Sequence, residues 1–315
     1  MAEVSRSFRW RQPTWRGARR RSGVIATLVV ICLWSVLSAA PSVSPRSAPT
    51  AVAERLGYAL VGADGGVFSF GTAQYQGGLG NDPPASPVVA IMGFCCASYS
   101  LVTAAGAVTS FGGAPFYGDL STMRLAAPIV GADPEGSTGY WLVGADGGVF
   151  SFGSAGYFGS LGGKTLPAPI VGIASSGPGG YWLVDKAGRV YRFGDAPALG
   201  DLSRVRLDGP VVAIADEECS IGDGYVLASA DGGVFAFGSA CYLGAMAGKR
   251  LTAPITGITT DGDGYWLVAS DGGVFSFGIA SFFGSEGGRH LNAPVVGLAS
   301  LFTPALCNGL PPGQC

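Results

Sequence analysis

Gly139 to Ala174 reads GYWLVGADGGVFSFGSAGYFGSLGGKTLPAPIVGIA, and the chain repeats this unit six times. Its tyrosine recurs as Tyr58, Tyr99, Tyr140, Tyr181, Tyr225 and Tyr265, at steps of 41, 41, 41, 44 and 40 residues. The Phe-Gly pair keeps the same beat, from Phe70-Gly71 through Phe111, Phe152, Phe193 and Phe237 to Phe277-Gly278. So does a proline, at Pro87, Pro128, Pro169, Pro210, Pro254 and Pro294.

Each copy reads as strand. Tyr140 to Val143 is a short continuous apolar run, suited to a strand buried on both faces. Asp146-Gly147-Gly148 supplies residues that tolerate the positive φ of a tight hairpin. Val149 to Phe152 alternates, with both phenyl rings on one face. Pro169 to Ala174 is rich in β-branched residues and opens on a proline that donates no ladder bond. A shorter strand is expected around Tyr157 to Leu161. We name these strands A (the Pro-Ile-Val run), B (Tyr-Trp-Leu-Val), C (Val-Phe-Ser-Phe) and D.

Four short antiparallel strands in such a period predict one propeller blade. The expected fold is all-β: a six-bladed β-propeller closed by a C-terminal strand and preceded by an N-terminal apolar helix. The first copy begins at strand B, and the last leaves a surplus strand A, Pro294 to Ala299. A ring solves both problems, since that strand A completes the blade begun by Tyr58 and removes two open edges.

The rest of the chain divides by composition. Residues 1–22 form a basic leader, 23–40 a signal or transmembrane segment, 41–55 a Pro/Ser/Ala linker, 56–302 the six repeats and 303–315 a cysteine-containing tail. Ser38, Ala39 and Ala40 favour cleavage of the apolar segment and Pro41 opposes it, so secretion and membrane anchoring both stand. Either way the arginine cluster stays cytoplasmic and the repeats are exported. Arg20-Arg21 also permits a twin-arginine signal.

Residues 51–315 hold 11 basic and 20 acidic side chains, a net of −9. That argues against nucleic-acid binding, which needs a basic face.

The unit resembles the tandem repeats of exported proteins from GC-rich Gram-positive bacteria, on its Tyr-Trp-Leu-Val and Asp-Gly-Gly-Val-Phe-Ser-Phe-Gly motifs over roughly residues 57–300. The resemblance implies a propeller-like fold, akin to kelch and WD40 domains, and no settled activity. Two copies depart from it: Ala104-Ala105-Gly106 and Lys186-Ala187-Gly188 replace Asp-Gly-Gly.

Alternating strand directions put the A–B and C–D loops on one face of the ring and the B–C and D–A loops on the other. The second face carries Asp64, Asp146, Asp231 and Asp271 beside Arg124, Lys164, Arg204, Arg206, Lys249, Arg250 and Arg289. Turn-forming acids and solvated bases outweigh a charged binding rim here. The best spot for an anion is the fourth copy, where the turn Asp is lost and Lys186, Arg189, Arg192, Arg204 and Arg206 cluster. Trp141, Trp182 and Trp266 read as blade-to-blade core. Phe116-Tyr117, Tyr157-Phe158 and Phe282-Phe283, near the C–D loops, are the candidate sugar-stacking pairs.

Catalysis has little support. His290 is the only histidine and no Gly-x-Ser-x-Gly elbow accompanies it. Zinc has no His/Cys spacing to use, and Asp261-Gly262-Asp263-Gly264 lacks the further ligands of a calcium loop. No metal or cofactor is expected. A carboxylate pair for glycoside hydrolysis is open to a propeller channel, but no pair is singled out.

Outside the apolar segment the cysteines are Cys95, Cys96, Cys219, Cys241, Cys307 and Cys315, an even number that suits disulfides in an exported chain. Cys219 lies between strands A and B, and Cys241 between C and D of the same blade, so a Cys219–Cys241 bridge is expected. Cys307 or Cys315 is expected to bond Cys95 or Cys96, with Cys307–Cys315 as the rival. These readings predict a non-catalytic binding or scaffold propeller at the cell envelope, with envelope glycan or protein as partner. The alternatives are an envelope polysaccharide hydrolase and a structural surface protein with protein partners only.

Overall fold

The computed structural model describes residues 55–217, 222–262 and 264–303. The leader, the apolar segment with its expected helix, the linker up to residue 54, and Cys219, Asp263, Cys307 and Cys315 lie outside the described residues. The described residues belong to the unit Ala51–Cys315. No helix among them is long and apolar enough to cross a membrane.

Eighteen strands follow one another: β1 (Arg55–Gly62), β2 (Val67–Gly71), β3 (Val88–Gly93), β4 (Tyr99–Thr103), β5 (Val108–Phe111), β6 (Ile129–Glu135), β7 (Gly139–Gly144), β8 (Val149–Gly153), β9 (Ile170–Ser175), β10 (Gly180–Asp185), β11 (Val190–Gly194), β12 (Val211–Asp216), β13 (Gly224–Ser229), β14 (Val234–Gly238), β15 (Ile255–Thr260), β16 (Gly264–Ala269), β17 (Val274–Gly278) and β18 (Val295–Thr303). They form six antiparallel three-stranded sheets, five from consecutive strands and one in the order β18-β1-β2. The surplus strand A thus pairs with the first strand, Arg55 opposite Thr303 and Leu60 opposite Leu298. Strand A of each sheet (β18, β3, β6, β9, β12, β15) neighbours the strand A of the next, and this inner circle closes on itself.

The spacing of the repeat now has a cause. Each tyrosine sits directly opposite its Phe across the B–C ladder, as Tyr140 does Phe152. The six Tyr–Phe ring centroids lie 5.3 to 5.7 Å apart. Strand B is buried along its whole length in β7, β10, β13 and β16. Its two faces enter different hydrophobic clusters, each drawn from two neighbouring sheets: Trp141 and Val143 pack with Ile173, Tyr181 and Leu183 of the next sheet, whereas Tyr140 and Leu142 pack with Met92 and Val102 of the one before. No sheet has a core of its own, so the copies stabilise one another only in an array.

Three expectations need correction. The fourth strand does not form. Its residues make an irregular strap, because side chains take the backbone bonds a ladder would use. The Trp141 indole donates to the Gly156 carbonyl at 2.7 Å, and the Phe158 amide donates to the Tyr181 hydroxyl of the next sheet at 3.2 Å. Gly159, the next residue of the strap, has φ +123°, outside the β region of other residues. In the hairpin, the positive φ belongs to Gly147 alone (+76°). Asp146 acts through its side chain instead, accepting the Gly148 amide at 3.0 Å. Gly106 and Gly188 are the positive-φ counterparts of Gly147, so Ala105 and Ala187, not Ala104 and Lys186, occupy the Asp146 position.

Candidate functional site: aromatic straps, a basic pocket and the central channel

The strap after strand C carries two residues whose fates differ. The second packs inward: Tyr117 lies 5.9 Å from Tyr140, Phe158 5.6 Å from Tyr181 and Phe283 5.6 Å from Tyr58, by ring centroids. The first points out, with Phe116, Tyr157 and Phe282 58%, 61% and 60% exposed. The sequence pairs are therefore split by degree: the first member is the more exposed ring, while Phe158 and Phe283 are half-buried and Tyr117 keeps 37% of its surface exposed beside Tyr140. Two rings at that position were missed, Tyr75 and Tyr242, each 62% exposed. They stand four places after the Gly of Phe70-Gly71 and Phe237-Gly238, as Tyr157 does after Gly153, but their neighbours Gln76 and Leu243 are not aromatic. The fourth copy has Ala198 there.

All six straps are fastened from the next sheet, and three of them also by a tryptophan of their own sheet. The next sheet's tyrosine donates to the strap glycine carbonyl at all six junctions, for example Tyr99 to Gly77 at 2.6 Å and Tyr265 to Gly244 at 2.6 Å. Among the described residues the second bond, from the strap amide to that hydroxyl, forms at five junctions. At the fourth, Tyr225 makes only the bond to Gly200. Burial raises these phenols above their ordinary range, so they stay protonated donors. From the strap's own sheet, the indoles of Trp182 and Trp266 donate to Pro197 and Ser281 at 3.0 and 2.8 Å.

The fifth sheet has Val226 in place of that tryptophan, and its strap residue is Cys241. Cys241 is disulfide-bonded, and its amide donates to Glu217 Oε2 at 2.8 Å. Cys96 is also disulfide-bonded, in a turn where Cys96 and Ala97 take φ of 61° and 57°. That turn packs against β18.

In the fourth sheet the turn carboxylate is moved rather than lost. Asp185, at the place of Gly144, is fully buried and accepts the amides of Ala187 and Arg189 at 2.9 and 3.0 Å. It also accepts the Tyr191 hydroxyl at 3.1 Å, and burial, reinforced by Asp185, pushes that phenol up to about 12. The five bases grouped by sequence are all exposed. Arg192 and Arg204 line a pocket of about 400 Å³ between the fourth and fifth sheets; Lys186, Arg189 and Arg206 do not line it. The B–C aspartates are occupied by their own turns: Asp64 and Asp271 accept the Gly66 and Gly273 amides, each at 3.0 Å, and Asp231 accepts the Ser229 hydroxyl. None of the four is in a salt bridge with the D–A bases among the described residues; Arg289 pairs with Glu286 at 3.2 Å.

The inner strands enclose a cavity of about 740 Å³ on the ring axis. Its lining includes Asp133 and Asp216, at the ends of β6 and β12. Enclosure in the ring, and then the Asp216 carboxylate, hold Asp133 well above the usual carboxylate range, while the Ser175 amide, donating to its Oδ2 at 2.7 Å, opposes them. Burial also raises Glu135, whose Oε2 has no partner among the described residues. Sequence reasoning missed this pair because Asp133 and Asp216 lie 83 residues apart in an otherwise apolar strand type. His290 is exposed and far from any such arrangement in bonding terms: no Ser or Asp hydrogen-bonds it among the described residues. Asp261 and Gly264 exchange backbone bonds at 2.8 and 3.2 Å in a turn, and no group of three metal-ligating side chains occurs among the described residues.

No protein family and no curated protein matches this sequence. Similarity is confined to solved structures. A chain of the nidogen/laminin complex aligns with a TM-score of 0.50 at 10% identity, over 78% of this chain and 98% of that one. Human WBSCR16 gives 0.36 at 12% identity, over 72% and 74%, and the computationally designed Ika8 protein 0.39 at 16%, over 70% and 67%. The first is a likeness of fold.

Proposed function

We propose that this chain is an exported six-bladed β-propeller, secreted or held at the cell envelope by its N-terminal apolar segment, that binds envelope glycan without turning it over. The observation that carries the reading is the row of free rings. Tyr75, Phe116, Tyr157, Tyr242 and Phe282 occupy one repeat position and stay 58–62% exposed, while the next residue of each strap is less exposed, half-buried in four straps and 37% exposed at Tyr117. A planar apolar ring on a strap held by the next sheet's tyrosine is a platform for a sugar face, and that anchoring lowers the entropy lost on binding. Repetition around the ring suits a polymer, since linked weak contacts add by effective concentration. The net charge of −9 over residues 51–315 disfavours nucleic acid.

The full chain, tested for retention on insoluble cell-envelope polysaccharide, should be retained without releasing soluble sugar. Replacing Phe116, Tyr157 and Tyr242 together by Ala should reduce retention at least about tenfold, at ~1–2 kcal/mol per ring lost. Retention unaffected by that change, or capture of envelope proteins alone, would reject the reading.

One observation favours a second reading, an envelope polysaccharide hydrolase. Asp133 lies beside Asp216 in the axial cavity, and burial and that neighbour raise its carboxyl well above the usual carboxylate range, as the general acid of a carboxylate pair requires. Sugar release abolished by Asp133→Asn would establish it.

A further inference from the structure

The six copies serve as internal controls for one another, and the fourth is the odd one at a single place. Its strap lacks the exposed ring, having Ala198, and the pocket of about 400 Å³ opens there against the buried Trp182. Two arginines line it. The residues matching Arg192 in the other copies are Ser69, Ser110, Ser151, Ala236 and Ser276. Those matching Arg204 are Asn81, Thr122, Gly163, Gly248 and Gly288. Both guanidinium groups thus occur only where the ring is absent, one on strand β11 and one on the connection to β12. Both are exposed, and neither is in a salt bridge among the described residues.

One carboxylate, Asp201, lines the same pocket, but its role is set by the turn. Its Oδ1 accepts the amide and hydroxyl of Ser203 at 3.0 and 2.6 Å. In the second copy Asp119 holds Ser121 in the same way, at 3.1 and 2.7 Å, with no arginine near it in sequence at either matching position. Asp201 therefore belongs to the architecture of the connection and offsets one of the two positive charges. The remainder is a net positive pocket, walled on one side by Pro197, Ala198 and Leu199. Paired guanidinium groups recognise carboxylate or phosphate oxygens, and the apolar wall suits the carbon skeleton of a sugar.

We propose that this pocket is a subsite for an acidic sugar residue, its carboxylate or phosphate held by Arg192 and Arg204, set into the row of aromatic platforms. The proposal rests on the glycan-binding reading above and names the chemical class of one of its units. A polymer that meets neutral stacking platforms at five positions would meet a charge-reading one at the sixth, which fixes its register around the ring.

The test uses the full chain and four probes at fixed ionic strength: glucuronic acid, glucose 1-phosphate, glucose and inorganic phosphate. Binding is read by calorimetry and by fluorescence of Trp182 in the pocket wall. At least one acidic sugar should bind about tenfold tighter than glucose and inorganic phosphate, and more weakly as salt rises. Arg192→Ser and Arg204→Gly, which install residues other copies already carry, should each remove that preference. The same variants should still be retained on neutral envelope polysaccharide. Equal binding of glucose, equal binding of bare phosphate, or wild-type behaviour of both variants overturns the subsite. Retention on polysaccharide without acidic preference sinks the subsite alone. An acidic preference without retention sinks the envelope reading alone.

Discussion

The Tyr58 hydroxyl donates to the carbonyl of Gly284 at 2.6 Å, across 226 residues of chain. The Phe283 amide returns a bond to the same hydroxyl at 3.2 Å. Tyr181 makes the equivalent pair with Gly159 and Phe158 across only 22 and 23 residues. The ends of the repeat array are therefore joined by the same pair of bonds that joins four of the five internal pairs of sheets, and the ring has no structurally distinct seam at that position.

Tyr58→Phe and Tyr181→Phe should consequently cost similar amounts, about 1–3 kcal/mol each for two buried polar groups left without the phenol. Differential scanning calorimetry checks this. A silent Tyr58→Phe beside a destabilising Tyr181→Phe would mean the ring is open in solution. Deleting residues 294–315, which removes β18, should abolish cooperative unfolding by exposing the edge of β1.

Gly284 is the second half of the same junction. Its φ is +137°, and a Cβ there would lie 2.6 Å from Cδ1 of Phe70. Gly284→Ala should destabilise by roughly 1–3 kcal/mol through backbone strain and displacement of that ring. Gly288→Ala, with φ +83° but nothing within 4 Å of the added carbon, separates the two terms. Equal losses in both variants would show that the contact with Phe70 contributes nothing.

In the fifth sheet a disulfide-bonded cysteine, Cys241, stands in the strap that lacks its tryptophan anchor. We expect Cys241 to be bonded to Cys219, because Glu217, two residues before it, already grips the Cys241 amide. Cys96 should be bonded to Cys307 or Cys315, since its turn packs against β18, which leads into the tail. Peptide mapping of the non-reduced protein decides both pairings. Removing the first bridge by Cys241→Ser should cost roughly 3 kcal/mol for a loop of about 20 residues, if chain entropy governs.

Asp133 makes stability depend on pH in a defined sense. Its folded value lies above the ordinary carboxylate value, so the folded state binds the proton more tightly than the unfolded chain. Stability from this group is full below about pH 4 and declines as pH rises through the folded value. Asp133→Asn should therefore raise Tm at pH 8, with the gain vanishing at pH 3. An unchanged Tm difference across that range would contradict the placement of Asp133 beside Asp216.

The sequence by itself determined the architecture of the repeat. The Tyr and Phe columns are cross-strand partners, so their constant offset already encoded the B–C hairpin, and the surplus strand at the C-terminus already implied closure. The inward fate of the tryptophans was legible too, because the same ring recurring in one column has the same neighbours each time. Three things needed the tertiary structure. Strand D was misread because Tyr157, Phe158 and Leu161 make its composition strand-like, while its backbone bonds go to Trp and Tyr side chains on other strands. The adjacent aromatic pairs looked equivalent until the neighbouring sheet's tyrosine covered one ring and left the other. Asp133 and Asp216 come from different sheets, and no local pattern announces a meeting that only the closed ring brings about; Arg192 and Arg204 were already grouped within the fourth copy, and the tertiary structure decided only which of its five bases share a pocket.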